Sequence, residues 1–342
     1  MINLLNDYNK IGHKKILEAL IKYQDNSFVG YGKDDISHHA ARLIKKELNN
    51  ESVDIHFIVG GTLTNKVALN SMLKNYEAVI CCDSAHINVH ETGAIESNGH
   101  KLLITPNKEG KVVPEEVRKI YLKHIDEHMV KPKVVYISNS TEFGTVYNKE
   151  ELIALNKVCK ELGLYLYLDG ARLSAGLTSK YSDLTLEDIC KYTDMFYIGG
   201  GKTGLLFGEA LVIVNDNLKE DFRYLIKNQG AMLSKGFLCG IQFETLFTDG
   251  LFFEIGKKEN ELAYILTDGL VDLGIKLYCK TETNQVFPII SKQLFEHLKT
   301  KILFEVWEDL QDEVVIRFVT GFDTTINDIN AALQVIKEYQ NE

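Results

Sequence analysis

Two charged side chains follow strongly apolar segments, where poor hydration changes how they ionise. Lys202 lies in the glycine-rich turn GGGKTG between the apolar stretches MFYI and LLF. A poorly hydrated ammonium loses its proton more easily, so this amine is suited to act as a nucleophile and to form a Schiff base. Asp169 ends the apolar run LYLYL, where an ionised carboxylate needs a positive partner. That partner is either Arg172, three residues later, or a protonated ring nitrogen or a metal ion.

Two further segments place glycine and histidine after predicted strands. In FIVGGTLTN, Gly60 and Gly61 would let backbone amides approach a ligand, and Thr62 would open a helix whose N-terminus favours phosphate. An ordinary strand-to-helix turn is the more common interpretation of such a motif alone. In CCDSAHINVHE, His86 and His90 are four residues apart, a spacing that can hold a metal in a helix. A single imidazole there could instead stack on a ring or transfer a proton.

The segment around Lys202 also resembles the end of a nucleotide-binding P-loop, because GKT follows an apolar strand. A P-loop with its lysine here requires glycine at position 196, which is Phe196 in this sequence. The acidic strand that ends at Asp169 also precedes the loop, against the usual order. An ATP- or GTP-binding protein is therefore the less favoured alternative.

Alternating strands and helices must position these residues. Short apolar or β-branched segments predict strands at 54–59, 78–82, 101–105, 133–138, 164–168, 195–199 and 210–214. Segments of helical period separate them, which predicts an α/β fold with a mostly parallel sheet. Ligands of such sheets bind beyond the carboxyl ends of the strands, so the polar residues above are expected at one edge.

The pattern changes after Gly250. An amphipathic segment over 251–274 predicts one long helix, and the clearest strand beyond it is 314–319. We expect a large α/β domain over 1–250 and a small α+β domain over 251–342. The N-terminal segment is a candidate part of the small domain.

Composition restricts the partners and the compartment. The 38 Lys and Arg against 48 Asp and Glu give a net charge of −10, which repels nucleic acid but not a small anionic cofactor. Six scattered cysteines without a CxxC pair are typical of reduced thiols. No apolar run approaches the ~18 residues of a membrane span, and polar residues interrupt the N-terminus where a signal peptide needs an apolar core. We expect a cytoplasmic protein with a small-molecule substrate.

In chain order, the glycine-glycine-threonine turn, the histidine, the Asp-Gly-Ala-Arg segment and the lysine resemble fold-type I enzymes that use pyridoxal phosphate. The more specific resemblance is to the threonine aldolase and aromatic β-eliminating lyase family, in its low-specificity L-threonine aldolase-like branch. It extends over nearly the whole chain. The segments that carry it are NDYNKIGH, VGYGKDD, FIVGGTLTN, CDSAHINVHETGAIE, VVYISNSTEFGTVY, LYLDGARL, FYIGGGKTGLLFGEAL, FRYLIKNQGAMLSKG and VVIRFVTGFDT.

The resemblance implies pyridoxal 5'-phosphate as the cofactor and a role for each matched residue. Lys202 would carry the Schiff base, Asp169 would hold the protonated pyridine nitrogen, and His86 would stack on the ring and take part in proton transfer. Arg172 belongs to the same cofactor-binding segment as Asp169. The phosphate group would be held by the turn and helix start at Gly60, Gly61 and Thr62.

The resemblance also implies how the substrate is held. Arg172 and Arg317 would bind its carboxylate, for which a planar guanidinium is well shaped. Asn6 stands where many aldolases have a serine near that carboxylate, Glu91 is a further contact, and Tyr31 would reach the site of a neighbouring subunit. A homodimer or homotetramer with sites near the subunit interface is therefore implied, with no metal.

The sequence departs from the best-known aldolases in two places. Gly201 stands where they have a serine before the lysine, and the segment Ser140 to Glu142 stands where they have a second histidine. Cleavage needs a base for the β-hydroxyl proton, and His86, Glu91 and a water molecule are the candidates.

The predicted function is a pyridoxal phosphate-dependent lyase that cleaves a β-hydroxy-α-amino acid, of the threonine or allo-threonine type, to glycine and an aldehyde. One alternative is a β-eliminating lyase that uses the same cofactor and lysine on another amino acid. The others are the nucleotide-binding protein and a non-catalytic scaffold that has kept the fold.

Overall fold

The computed structural model describes residues 1–341, and a mixed seven-stranded sheet is its central element. In chain order the strands are β1 (Ile2–Asn3), β2 (Asp54–Ile58), β3 (Glu77–Cys82), β4 (Lys101–Thr105), β5 (Lys131–Ser138), β6 (Tyr165–Asp169), β7 (Met195–Gly199), β8 (Glu209–Ile213), β9 (Lys276–Leu277), β10 (Gln285–Val286), β11 (Pro288–Ser291), β12 (Ile302–Leu303), β13 (Glu305–Asp309) and β14 (Glu313–Val319). The main sheet has the order β2-β8-β7-β6-β5-β3-β4. Only β8 runs antiparallel to its neighbours within it.

The α/β fold with a mostly parallel sheet is confirmed. Each of the seven strands of the main sheet begins and ends within two residues of its predicted position. Every residue of β3, β7 and β8 is buried, as expected for strands that are covered on both faces. Continuous apolar runs therefore marked these strands well.

Helices connect the strands and cover the sheet. They are α1 (Lys14–Lys22), α2 (Asp35–Glu47), α3 (Gly61–Met72), α4 (His86–Val89), α5 (Pro114–Lys123), α6 (Lys149–Leu162), α7 (Leu173–Thr178), α8 (Leu186–Tyr192), α9 (Phe222–Asn228), α10 (Phe237–Phe247), α11 (Leu251–Asp272), α12 (Lys292–Leu298) and α13 (Ile326–Asn341). Helix α6 begins with a capping box between Asn148 and Glu151, and it ends at Gly163 with a φ of 66°. These two caps fix where the crossover from β5 to β6 starts and stops.

A second apolar cluster lies towards the C-terminus. Strands β10, β14, β11 and β9 form a sheet in that order, β13 pairs with β14, and β1 pairs in parallel with β12. The N-terminal half of α11 packs in the main core through Leu251, Phe252 and Ile255. Its C-terminal half packs in the second cluster through Leu262, Leu266 and Leu270. One helix therefore spans both cores. Among residues 1–341, no helix combines the length and hydrophobicity that crossing a membrane requires.

Candidate active site

A cavity of about 410 Å³ lies at the edge of the main sheet where the parallel strands end. Most of the sequence-predicted site residues line it: Gly61, Thr62, His86, Glu91, Asp169, Arg172, Lys202 and Arg317. Asn6, Tyr31 and Gly60 are not among the lining residues. The Asn6 side-chain oxygen accepts a hydrogen bond from the backbone N–H of Tyr8, so it stabilises the local turn and does not line the cavity.

Asp169, the last residue of β6, is a buried carboxylate that accepts hydrogen bonds from three side chains and from the backbone N–H of Ala171. The hydroxyls of Tyr136 and Tyr197 donate to it at 2.6 and 2.5 Å, and the Asn65 amide donates at 2.9 Å. Burial alone would raise the pKa of the Asp169 carboxyl, but nearby His86 and these three hydrogen bonds outweigh it and hold the pKa below its usual value. The site is therefore built to keep Asp169 negatively charged.

Arg172 is not the positive partner of Asp169. Its guanidinium forms a two-point ion pair with the buried Asp7, at 2.7 and 3.1 Å. Within residues 1–341, no Lys, Arg or His nitrogen lies within 4 Å of the Asp169 carboxylate. Of the alternatives that the sequence left open, a cationic ligand remains. A buried, ionised carboxylate that lines a cavity fits a protonated ring nitrogen, such as that of pyridoxal phosphate.

His86 is oriented by a buried chain of hydrogen bonds. Its Nδ1 lies 2.8 Å from Glu91 Oε1, and the Asn65 amide donates both to Glu91 and to Asp169. The Glu91 side chain has no exposed surface, whereas the His86 side chain is 34% exposed. Because a carboxylate only accepts hydrogen bonds, Nδ1 is the donor in this pair, which leaves Nε2 as the acceptor whenever the ring is neutral. Glu91 is thus placed to act on His86 rather than on a ligand in the cavity.

The metal interpretation of His86 and His90 gains no support from their surroundings. Their ring centroids are 5.5 Å apart. In the part of the chain that the structure describes, no three His, Cys, Asp or Glu side chains are grouped as metal ligands.

Lys202 lies in a tight turn between β7 and β8. A Cβ on Gly200 would lie 2.5 Å from the carbonyl oxygen of Gly208, so the turn requires glycine there. Burial and then the Arg172 guanidinium lower the pKa of the Lys202 amine, and the opposing effects of Asp7, Asp169 and Glu209 are smaller. A lowered pKa makes the neutral, nucleophilic amine more abundant.

The turn that contains Lys202 is not a P-loop. Residues 200–208, all of them described, run from β7 to the antiparallel β8 without an intervening helix. A P-loop places its lysine at the start of a helix, where backbone N–H groups surround the phosphates. The nucleotide-binding alternative therefore loses its structural basis.

The N-terminus of α3 opens on the cavity through Gly61 and Thr62. Its N-cap is Gly60, which offers no side-chain cap. The first backbone N–H groups of a helix lack partners within the helix, and they carry a partial positive charge. This uncapped helix end, which lines the same cavity as Lys202, fits the phosphate group of the cofactor.

Arg172 and Arg317 bring two guanidinium groups to the same cavity. Arg317, on β14, donates to Gln285 at 3.1 Å and pairs with Glu305. Burial, followed by the positive charge of Arg172, lowers the pKa of Arg317. An anion bound beside both guanidinium groups would reduce the repulsion between them, so the arrangement fits a substrate carboxylate.

Sequence reasoning missed the residues that hold the predicted ones in place. Asp7 fixes Arg172, Asn65 joins Glu91 to Asp169, and Tyr136 and Tyr197 donate to Asp169. The tyrosines carried a usable signal, since a hydroxyl in an otherwise apolar buried strand needs a partner. No local signal indicated that Asp7 pairs with Arg172, because the two residues are 165 positions apart in the chain.

This fold is that of the fold-type I pyridoxal phosphate enzymes. The model of the beta-eliminating lyase family matches residues 14–293, and the chain belongs to that family. Family and fold together imply pyridoxal phosphate as the cofactor.

Individual relatives agree with this assignment. The chain is 37% identical, over 79% of each protein, to a low specificity L-threonine aldolase from a Pseudomonas species. The solved structure of Leishmania major threonine aldolase is 44% identical, with a TM-score of 0.98 over 99% of both chains. Thermus thermophilus aspartate aminotransferase is 14% identical, with a TM-score of 0.72 over 99% of this chain and 91% of that one, and it shares the fold.

Proposed function

We propose that this protein cleaves a β-hydroxy-α-amino acid of the threonine or allo-threonine type to glycine and an aldehyde, with pyridoxal phosphate as cofactor. The observation that carries the proposal is the pairing, in one cavity, of a lysine amine with a lowered pKa and a buried, ionised Asp169. When bound, the cofactor joins the substrate amino group and accepts the electron pair that is released when Cα–Cβ breaks.

Lys202 is proposed as the nucleophile that attaches the cofactor, and Asp169 as the partner of its ring nitrogen. The start of α3 at Gly60, Gly61 and Thr62 would receive the phosphate group through backbone N–H groups. These roles follow from an amine with a lowered pKa, a buried carboxylate and an uncapped helix end around one cavity.

His86 is proposed as the base that accepts the β-hydroxyl proton. Glu91 fixes the imidazole so that Nε2 is an acceptor, and the ring is the exposed member of the pair. Glu91, predicted as a substrate contact, is better suited to position His86, because its carboxylate is fully covered. Loss of the proton allows the hydroxyl carbon to become a carbonyl as Cα–Cβ breaks.

Replacing Glu91 by glutamine tests this arrangement. The amide would weaken the hold on His86, so kcat should fall about tenfold with little change in KM, since a hydrogen bond to a charged group is lost. Steady-state kinetics on allo-threonine measures both. Glu244→Gln is the matched control, because Glu244 pairs with His39 away from the cavity. Equal kinetics in both variants would remove Glu91 from this role.

Arg172 and Arg317 are proposed to bind the substrate carboxylate. Arg317→Ala should raise KM roughly 10- to 100-fold, the cost of a lost charge-assisted hydrogen bond, and should leave cofactor binding intact. Substrate saturation curves and the visible absorbance of the loaded protein check the two parts. Arg118→Ala, which breaks an exposed pair with Glu161, is the control. An unchanged KM for Arg317→Ala would contradict the role.

A product assay separates the proposed reaction from β-elimination. The purified, cofactor-loaded protein is incubated with L-threonine, L-allo-threonine and aromatic amino acids. Glycine and acetaldehyde in equal amounts support the proposal. A 2-oxo acid and ammonia would identify the β-eliminating alternative, and no turnover of any amino acid would favour the scaffold.

We also propose the division of the chain into a large domain over 1–250 and a small one over 251–342, with β1 belonging to the small domain through its pairing with β12. A homodimer or homotetramer, in which Tyr31 reaches a neighbouring site, is supported by the 45% exposure of this aromatic side chain. All six cysteines are unpaired, which supports a reducing, cytoplasmic compartment.

A further inference from the structure

Glu209 is a buried acid in the cavity that none of the roles above uses. It is the first residue of β8, it lines the cavity, and it is 8% exposed. Its Oε2 accepts a hydrogen bond from the backbone N–H of Gly200 at 2.9 Å. Its Oε1 lies 3.5 Å from the position that a Cβ atom on Gly201 would occupy. The carboxyl group therefore adjoins the turn that holds Lys202.

The sheet register places Glu209 between the two turns that surround the proposed phosphate position. Strand β8 lies between β2 and β7. Glu209 is opposite Ile58 on one side and opposite Gly199 on the other. Ile58 is two residues before Gly60, the N-cap of α3, and Gly199 is the last residue before the turn that contains Lys202. A group bound at the start of α3 and next to Lys202 would thus come close to this carboxyl.

Burial shifts Glu209 towards its protonated form, whereas Asp169 is held in its ionised form. Burial, with a smaller effect from Asp169, raises its pKa to about 8, although the Gly200 and Gly201 N–H groups and Lys202 act the other way. The titratable groups that face it from the elements packed around it are Lys202, Asp169, Tyr167, Tyr197 and Cys239. Below about pH 8 the group is a neutral acid that can donate a hydrogen bond, and above it the group is an anion.

A phosphate group responds oppositely to these two forms. A carboxylic acid donates a strong hydrogen bond to a phosphate oxygen, whereas a carboxylate repels it in a poorly hydrated site. We propose that Glu209, in its protonated form, donates a hydrogen bond to the cofactor's phosphate group and that its ionisation weakens cofactor binding. This inference rests on the proposed function, because it takes pyridoxal phosphate as the ligand.

The test measures cofactor affinity rather than turnover. The full-length protein is freed of cofactor, and the Kd of pyridoxal phosphate is measured by absorbance titration in the wild type and in Glu209→Gln. Glutamine imitates the neutral acid, because its amide donates to phosphate and its oxygen still accepts from Gly200. At about pH 9 roughly a tenth of Glu209 is protonated, so the wild-type Kd should rise about tenfold more than the variant's between about pH 7 and about pH 9.

Two controls isolate the phosphate group and the position. Pyridoxal, which lacks phosphate, reports any effect of Glu209 that acts through the Lys202 amine, so the role at the phosphate is the pH dependence that pyridoxal phosphate shows beyond that of pyridoxal. Glu259→Gln should behave as wild type with pyridoxal phosphate, since Glu259 is another buried glutamate with a raised pKa but does not line the cavity. Should Glu209→Gln fail to fold, the wild type alone suffices. Between about pH 7 and about pH 9 its Kd for pyridoxal phosphate should rise about tenfold more than its Kd for pyridoxal.

The outcomes separate this inference from the proposed function. An equal pH dependence of pyridoxal phosphate binding in wild type and Glu209→Gln would overturn the role of Glu209 and leave the lyase proposal standing. A difference of the same size with pyridoxal would show that Glu209 acts only through Lys202 and would also overturn it. A wild type that binds no pyridoxal phosphate at any pH would overturn both.

Discussion

Lys202→Ala should abolish the visible absorbance of the cofactor-loaded protein and lower kcat about 10⁴-fold, the upper range for one proton-transferring group. The amine is the group that we expect to bond to the cofactor, and burial and Arg172 lower its pKa, which increases its neutral, nucleophilic fraction. Removing the amine takes away both the covalent link and the group that releases the product. Absorbance spectra and glycine formation from allo-threonine measure the two effects.

A matched variant separates the amine from the positive charge. Lys202→Arg keeps a cation at this position but cannot form a Schiff base, so it should resemble Lys202→Ala in both measurements. Lys22→Ala, at an exposed helix end, should resemble wild type. Retained visible absorbance in both Lys202 variants would mean that another lysine binds the cofactor, and the site assignment would be wrong.

Asp169→Asn should lower kcat by about 10²-fold or more, a typical effect of removing one well-placed electrostatic group. The substitution keeps the shape but replaces one of the two oxygens by an amide group, so only one of Tyr136 and Tyr197 can still donate to an oxygen there, and the negative charge is removed. The Asp169 charge would hold a proton on the ring nitrogen of the bound cofactor, and that proton would favour acceptance of the electron pair from Cα–Cβ, so its loss should slow cleavage. Single-turnover kinetics on the loaded variant measures the cleavage step directly.

Asp194→Asn provides the control for this substitution. Asp194 is also an aspartate beside β6 and β7, but it accepts from the backbone of Leu166 and from Asn215 at the opposite edge of the sheet. Its replacement should cost stability without a selective loss of kcat. Wild-type cleavage rates in Asp169→Asn would instead favour a neutral ring nitrogen and remove Asp169 from the mechanism.

The local signals in the sequence predicted the elements well. Strands β3, β7 and β8 are buried throughout, so their apolar runs were unbroken and easily recognised. Helix α6 was bounded by residues whose preferences are local, Asn148 at its start and Gly163 at its end. Such signals depend on a few neighbouring residues and need no tertiary information.

The sequence also determined which residue types could do chemistry, since Lys202 and Asp169 are charged residues at the ends of apolar strands. Only the tertiary structure decided their partners. In the folded chain Arg172 forms its ion pair with Asp7 and not with Asp169. His86 contacts Glu91, whose side chain has no exposed surface. The reason is physical: burial and hydrogen bonding are set by residues that are distant in the chain and meet only when the strands pair. The strand register places Glu209 between Ile58, which precedes the turn at Gly60 and Gly61, and Gly199, which precedes the turn that contains Lys202.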